Sequence, residues 1–128
     1  MKKHERFLVT AFAALLFFSC ASITFAQAAK PKAKPLVTFI ELGSVNCIPC
    51  KAMRPVMTDI ETSYDGRVKV DFYDVWTKEG EPYGRQYGIR VIPTQVFLDK
   101  DGKEFYRHEG FFPASDIKKL LAEQGLKL

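Results

Sequence analysis

From Leu36 to Leu42 the chain is apolar at every position except Thr38 and Glu41. A nearly unbroken run of this kind predicts a central strand covered on both faces, because a half-exposed strand would alternate. Ala52, Met53, Val56, Met57 and Ile60 then recur at helical spacing, which predicts a helix from Cys50 to about Tyr64. Pro55 lies inside it and should kink it, since proline removes an intrahelical hydrogen bond. Val68, Val70, Phe72, Tyr73 and Val75 predict a second strand, and Glu81 to Tyr87 a short helix ended by Gly88. Thr94 to Leu98 and Glu104 to Glu109 flank Asp99-Lys100-Asp101-Gly102, a strong hairpin signal. A last helix is expected from Ala114 to Gln124, with Ile117, Leu120 and Leu121 as its apolar stripe and Pro113 or Ser115 at its start. The predicted order is β-α-β-α-β-β-α, an α/β fold.

Upstream of this pattern the chain changes character. Met1 to Arg6 is basic, Phe7 to Phe18 is continuously apolar but for Thr10, and Thr24-Phe25-Ala26 resembles a small-residue cleavage site. These are the three parts of an export signal, so residues 1–26 are expected to be a signal peptide cut after Ala26. Cleavage would also remove Cys20 and leave the mature chain with a single pair of cysteines. Two alternatives stay open. Phe17-Phe18-Ser19-Cys20 loosely resembles a lipoprotein box, which would make Cys20 a lipid anchor, and Phe7 to Ala29 is long enough to remain as a signal anchor. All three place the rest of the chain outside the cytoplasm, in a periplasm-like compartment. Residues 27–35, with Lys30, Lys32, Lys34, Pro31 and Pro35, cannot bury enough surface to fold and read as a tether. The folded domain is expected over residues 36–128.

Composition narrows the classes further. The chain has 128 residues, 47% hydrophobic and 27% charged, which suits one small globular domain. Of its formal charge of +4, two units come from Lys2, Lys3 and Arg6 against Glu5, so residues 27–128 carry only +2. With no basic stripe of interleaved aromatics, no Gly-rich phosphate loop and no repeat, nucleic-acid binding is not expected.

The chemistry is concentrated in Cys47-Ile48-Pro49-Cys50, between the first strand and the first helix. Two cysteines three positions apart can form and break a small-loop disulfide. The first turn of a helix carries unpaired N–H groups and partial positive charge, which favour a thiolate at Cys47. Cys47 is therefore the expected nucleophile and Cys50 the resolving thiol. Pro49 suits the first turn, where its missing N–H costs little. The competing readings are half a zinc site and an inert disulfide; zinc needs about four ligands, and only His4 and His108 accompany the pair. Glu41 is the other candidate. A carboxylate in an apolar strand is costly unless paired, so its pKa should rise, and it could move protons to and from Cys50 through water; the competing reading is a Glu that reaches solvent. Trp76, Phe111 and Phe112 read as core or rim aromatics, and His108 as a surface residue.

The stretch from Leu36 to Leu128 resembles the thioredoxin superfamily. Beyond the cysteine pair, Lys51 and Pro55 match the family's active-site helix, and Tyr87-Gly88-Ile89-Arg90-Val91-Ile92-Pro93-Thr94 matches the segment leading to its cis-proline. Gly110 matches the glycine of the strand beside the substrate groove, and Glu41 stands six residues before Cys47, where the family carries a buried acid. The resemblance implies a trimmed thioredoxin fold with a central mixed sheet. It implies substrate contacts at Ile48, Pro49, Ile92, Pro93 and Gly110, with Pro93 cis and the Ile92 backbone pairing with an extended substrate. Departures are visible too. Asn46 stands where Trp is usual, Ile48-Pro49 replaces Gly-Pro, Phe72 falls near the place of a lysine that partners the acid, and the family's first strand and helix are missing or reduced to residues 27–35.

The expected activity is that of an exported monomeric thiol-disulfide oxidoreductase that reduces or isomerises disulfides of extracytoplasmic proteins. It would use no metal and no cofactor beyond the Cys47 and Cys50 pair, and draw electrons from a membrane thiol transporter. Apocytochrome c maturation is one destination that the resemblance suggests. The alternatives are a disulfide-donating oxidant and a non-catalytic binding module using the groove beside Pro93.

Overall fold

In the computed structural model, residues 33–128 are described. The expected signal segment and most of the tether lie outside them. The elements are β1 (Val37–Gly43), α1 (Ile48–Tyr64), β2 (Val68–Asp74), α2 (Glu81–Gln86), β3 (Thr94–Asp99), β4 (Glu104–Glu109) and α3 (Ala114–Glu123). Among the described residues no helix is long and apolar enough to cross a membrane.

The four strands form one mixed sheet in the order β2-β1-β3-β4. β1 pairs parallel with β2 and antiparallel with β3, and β3 pairs antiparallel with β4. β1 is thus central, as its apolar run requires, and every residue from Phe39 to Gly43 is buried. Alternation sorts these residues between two layers. Val37 and Phe39 face the main core with Met53, Val56 and Ile60 of α1, Phe97 of β3, and Ile117 and Leu121 of α3. Ile40 and Leu42 face the other side, with Val96 and the tyrosines 73, 83 and 87 near α2. This is the trimmed thioredoxin fold: a mixed four-stranded sheet with three helices.

One difference from the expected elements bears on the site: α1 begins at Ile48, two residues earlier than the apolar spacing indicated, because its first turn is set by the Cys47 cap and by Pro49. Pro55 lies inside the helix, which runs to Tyr64 as expected, and Asp65 closes it in the left-handed region at φ 42°.

Candidate active site

The Cys47 and Cys50 pair is placed by the way β1 runs into α1. Cys47 is the N-cap of α1 in extended backbone, and its sulfur accepts the Cys50 backbone N–H at 3.3 Å. The cap position leaves N–H groups of the first turn pointing at this sulfur, an arrangement that favours negative charge there. The two cysteines form a disulfide with Cα atoms 5.2 Å apart, and both are buried. Between them Ile48 is 81% exposed, so the bulky residue of the dipeptide stands out into solvent over the disulfide.

The loop before Cys47 is tied down by Asp74, at the end of β2. Its Oδ2 accepts from the Val45 N–H at 3.0 Å and from the Ser44 hydroxyl at 3.3 Å, and its Oδ1 accepts from the Trp76 N–H at 3.1 Å. These donors, the Val45 N–H most, hold its carboxyl below the usual aspartate value. Gly80 packs so closely against this turn that a Cβ on it would lie 1.9 Å from the Asp74 carbonyl oxygen.

Beneath the disulfide, strand register aligns four residues. Glu41 is paired with Phe72 on β2 and Gln95 on β3, and Gln95 with His108 on β4. Phe72, Glu41, Gln95 and His108 therefore form one row across the sheet, on the face that α1 covers. Gly43, two residues beyond Glu41 on that face, sits against Cys50: a Cβ there would be 3.2 Å from the Cys50 sulfur and 3.4 Å from the Phe72 ring. Glu41 has no exposed surface. The alternative in which it reaches solvent is excluded, and burial pushes its pKa up to about 8 against a smaller opposing pull from the Gln95 amide. That amide donates its well-formed hydrogen bond to the Gly110 carbonyl, at 3.0 Å, and both Glu41 oxygens are left without a partner.

Pro93 is buried just before β3, and the Ile92-Pro93 peptide is cis. Thr94 pairs with Leu42, which sets Pro93 at the level of Gly43, at the end of the sheet that carries the cysteines. Gly110 donates its N–H to the Pro93 carbonyl at 2.8 Å and adopts φ 92°, a conformation open to glycine. Beside this segment lies an open depression of about 450 Å³ lined by Val75, Trp76, Arg85, Arg90, Val91 and Ile92. Trp76 and Phe111 are rim residues, exposed, whereas Phe112 is core. His108 is not a free surface residue. It is half-buried, its ring stacked on Phe112 with centroids 4.2 Å apart and its Nε2 3.2 Å from the Phe111 carbonyl oxygen.

A family model described as a thioredoxin-like domain matches residues 25–125. The chain belongs to the thioredoxin superfamily. It is similar to thioredoxin 1 of a Nostoc species, 35% identical over 75 residues that cover 59% of this chain and 67% of that protein. It is also similar to the thioredoxin of a Synechocystis species, 35% identical over 86 residues, 67% of this chain and 78% of that protein. A third relative, thioredoxin C-2 of Corynebacterium nephridii, is 35% identical over 71 residues, 56% of this chain and 63% of that protein. With its cysteine pair joined at the head of α1, this thioredoxin-like chain is a thiol-disulfide oxidoreductase, and thiols and disulfides of proteins are its substrate class.

Within that family frame, the residues missed from the pattern of the chain are Asp74, Gln95 and His108. No local signal marks them. An Asp at a strand end reads as a solvated turn residue, and Gln95 and His108 join Glu41 only through the register of three strands.

Proposed function

We propose that this chain is an exported thioredoxin-like reductase or isomerase acting on disulfides of extracytoplasmic proteins. The observation that carries the reading is the Cys47-Cys50 disulfide at the N-cap of α1 with the buried, unpartnered Glu41 below it. A cap-stabilised thiolate suits Cys47 to attack, and a buried acid with a pKa about 8 suits Glu41 to take a proton from a neighbouring thiol. The bend before β3, in which Arg90 and Val91 are exposed, suits backbone pairing of a substrate through Ile92, with Pro93, Gly110, Ile48 and Pro49 around it.

The cycle balances without a further group. The Cys47 thiolate attacks one sulfur of the substrate disulfide, forming a mixed disulfide and expelling one substrate thiolate, which takes a proton from water. Glu41 accepts the Cys50 proton, and the Cys50 thiolate attacks the Cys47 sulfur. The second substrate thiolate leaves and takes the proton held by Glu41; two electrons have passed to the substrate, and the Cys47-Cys50 disulfide remains. Electrons then return through thiol exchange with a membrane thiol transporter. The N-terminal signal pattern of residues 1–26 supports export, and the chain acts as a monomer.

The test is a redox titration of the isolated protein against dithiol and glutathione buffers. A potential near about −270 mV supports a reductase, whereas one near about −120 mV makes the chain a disulfide donor. The mass of the protein isolated from its host reads the export step: loss of residues 1–26, a lipid on Cys20, or a retained anchor.

A further inference from the structure

Glu41 has no exposed surface, yet in the proposed cycle a proton enters and leaves its carboxyl in every turnover. That proton needs a route to solvent, and the walls around Glu41 differ in thickness. On β3 its register partner Gln95 has no exposed surface and is backed by β4. Cys50 of α1 is 1% exposed. On β2, by contrast, the register partner Phe72 is 38% exposed and stands on an edge strand. Phe72 shares a face of the sheet with Glu41 and Gly43. Its ring reaches the Gly43 position, where an added Cβ would lie 3.4 Å from the ring and 3.2 Å from the Cys50 sulfur. One side chain therefore closes the β2 side of the region that Glu41 and Cys50 share.

We propose that Phe72 is a positioning residue, a movable cover whose ring admits the water that carries protons between Glu41, Cys50 and solvent. The ring can swing outward because part of it already faces solvent and no strand packs outside it among the described residues. Moving Gln95 or Cys50 aside would instead break the bond to the Gly110 carbonyl or strain the disulfide. Closed, the ring keeps the carboxyl desolvated and its proton held. Open, it lets water solvate the carboxylate, and the proton passes to the departing thiolate or to solvent. Phe72 acts only through Glu41. The inference deepens the proposed function and rests on it for the use made of the proton, while the cover itself stands on the exposure and placement of Phe72.

The charged groups nearby do not set the titration of Glu41. On β2, Lys69 and Asp71 alternate to the opposite face and pair with each other. On α1, Lys51 and Arg54 are exposed, and Cys50 titrates only when reduced. His108 on β4 is the next titratable residue in the row, with Gln95 standing between it and Glu41. Burial and Gln95 are the causes of the Glu41 shift, and no ion pair contributes.

The experiment follows the Glu41 carboxyl carbon by NMR in a pH titration of the oxidised, isotope-labelled protein. The wild-type midpoint should lie near the Glu41 value of about 8. Phe72→Ala opens the edge to water and should lower it by about one pH unit or more. Phe72→Val, whose β-branched side chain suits a strand, should move it the same way and serves if Phe72→Ala does not fold. Phe72→Leu keeps more of the apolar cover and should stay closer to the wild type. Ile60→Val trims the core under α1 away from the edge and should leave the midpoint in place. The second readout is release of thionitrobenzoate from its mixed disulfide with Cys47, which reports attack by Cys50. Its pH profile should move downward together with the Glu41 midpoint in the Phe72 variants. An unchanged midpoint in the Phe72 variants, an equal shift in Ile60→Val, or a shifted midpoint with an unmoved release profile overturns the proposal. A potential at the oxidant end in the redox titration would sink the reductase reading and leave these midpoints untouched.

Discussion

Asp74 accepts the Val45 backbone N–H at 3.0 Å, joining the end of β2 to the loop that delivers Cys47. The two residues are 29 positions apart, and the contact fixes the loop in which Asn46 stands at the usual place of a tryptophan. The same carboxylate also binds Ser44 and Trp76, so one side chain organises both turns beside the disulfide.

Replacing Asp74 by Ala strips three donors of their acceptor. The expected loss is about 2 kcal/mol, read as a lower urea midpoint. Because the folded-state pKa lies below the ordinary 3.8, this stabilisation is present above the unfolded value and lost as pH falls through the folded one. The wild type should therefore lose stability below about pH 4, and Asp74→Ala should lack that part of the acid response. A variant that matches the wild type in both respects would show that the loop stands without the carboxylate.

The elements of this fold were legible because each is written in local period: the run of β1, the helical spacing of α1 and the turn residues between β3 and β4. The cysteine pair was legible as well, since its chemistry and its place at a strand-to-helix junction are both local. What stayed hidden depends on register or close approach. Gln95 reads as an ordinary polar residue until β3 is set beside β1, and His108 reads as outward-facing until Phe112 folds back onto its ring. Gly80 gives no sign in the chain that the Asp74 carbonyl will crowd it.

Glu41 should make the protein less stable as pH rises, the reverse of an ion-paired carboxylate. Its folded pKa, about 8, lies above its ordinary 4.5, so between these values the folded state holds a proton that the unfolded state has lost. Stability then falls across that window, by roughly 3–5 kcal/mol in all, and levels off above it. Glu41→Gln should flatten the slope and be the more stable protein at alkaline pH. It should also slow resolution of the mixed disulfide by about a hundredfold, a general-base effect. Parallel stability curves for the two proteins would mean that Glu41 is not held protonated.

Cys50→Ser should accumulate mixed disulfides with client proteins through Cys47, whereas Cys47→Ser should accumulate none. The basis is the cap geometry, which stabilises charge on the Cys47 sulfur and buries Cys50 behind it. Non-reducing gels of extracts, with the adducts released by dithiol, give the readout. Adducts formed equally well by Cys47→Ser would reverse the two roles, and none from either variant would favour a binding module.

Gly43→Ala probes the packing of β1 directly against the redox centre. The added methyl would lie 3.2 Å from Cβ and Sγ of Cys50 and 3.4 Å from the Phe72 ring. Phe72 is on an edge strand and partly exposed, so its ring can yield. Cys50 cannot yield in the oxidised protein, where α1 holds its backbone and Cys47 holds its sulfur. Overpacking of this kind costs about 1–3 kcal/mol. Reduction frees the Cys50 side chain to rotate, so the oxidised form should bear more of that cost than the reduced form. The potential should then rise by about 30 mV for each 1.4 kcal/mol of difference. Equal destabilisation of both forms, with an unchanged potential, would place the strain in the backbone and not at the sulfur.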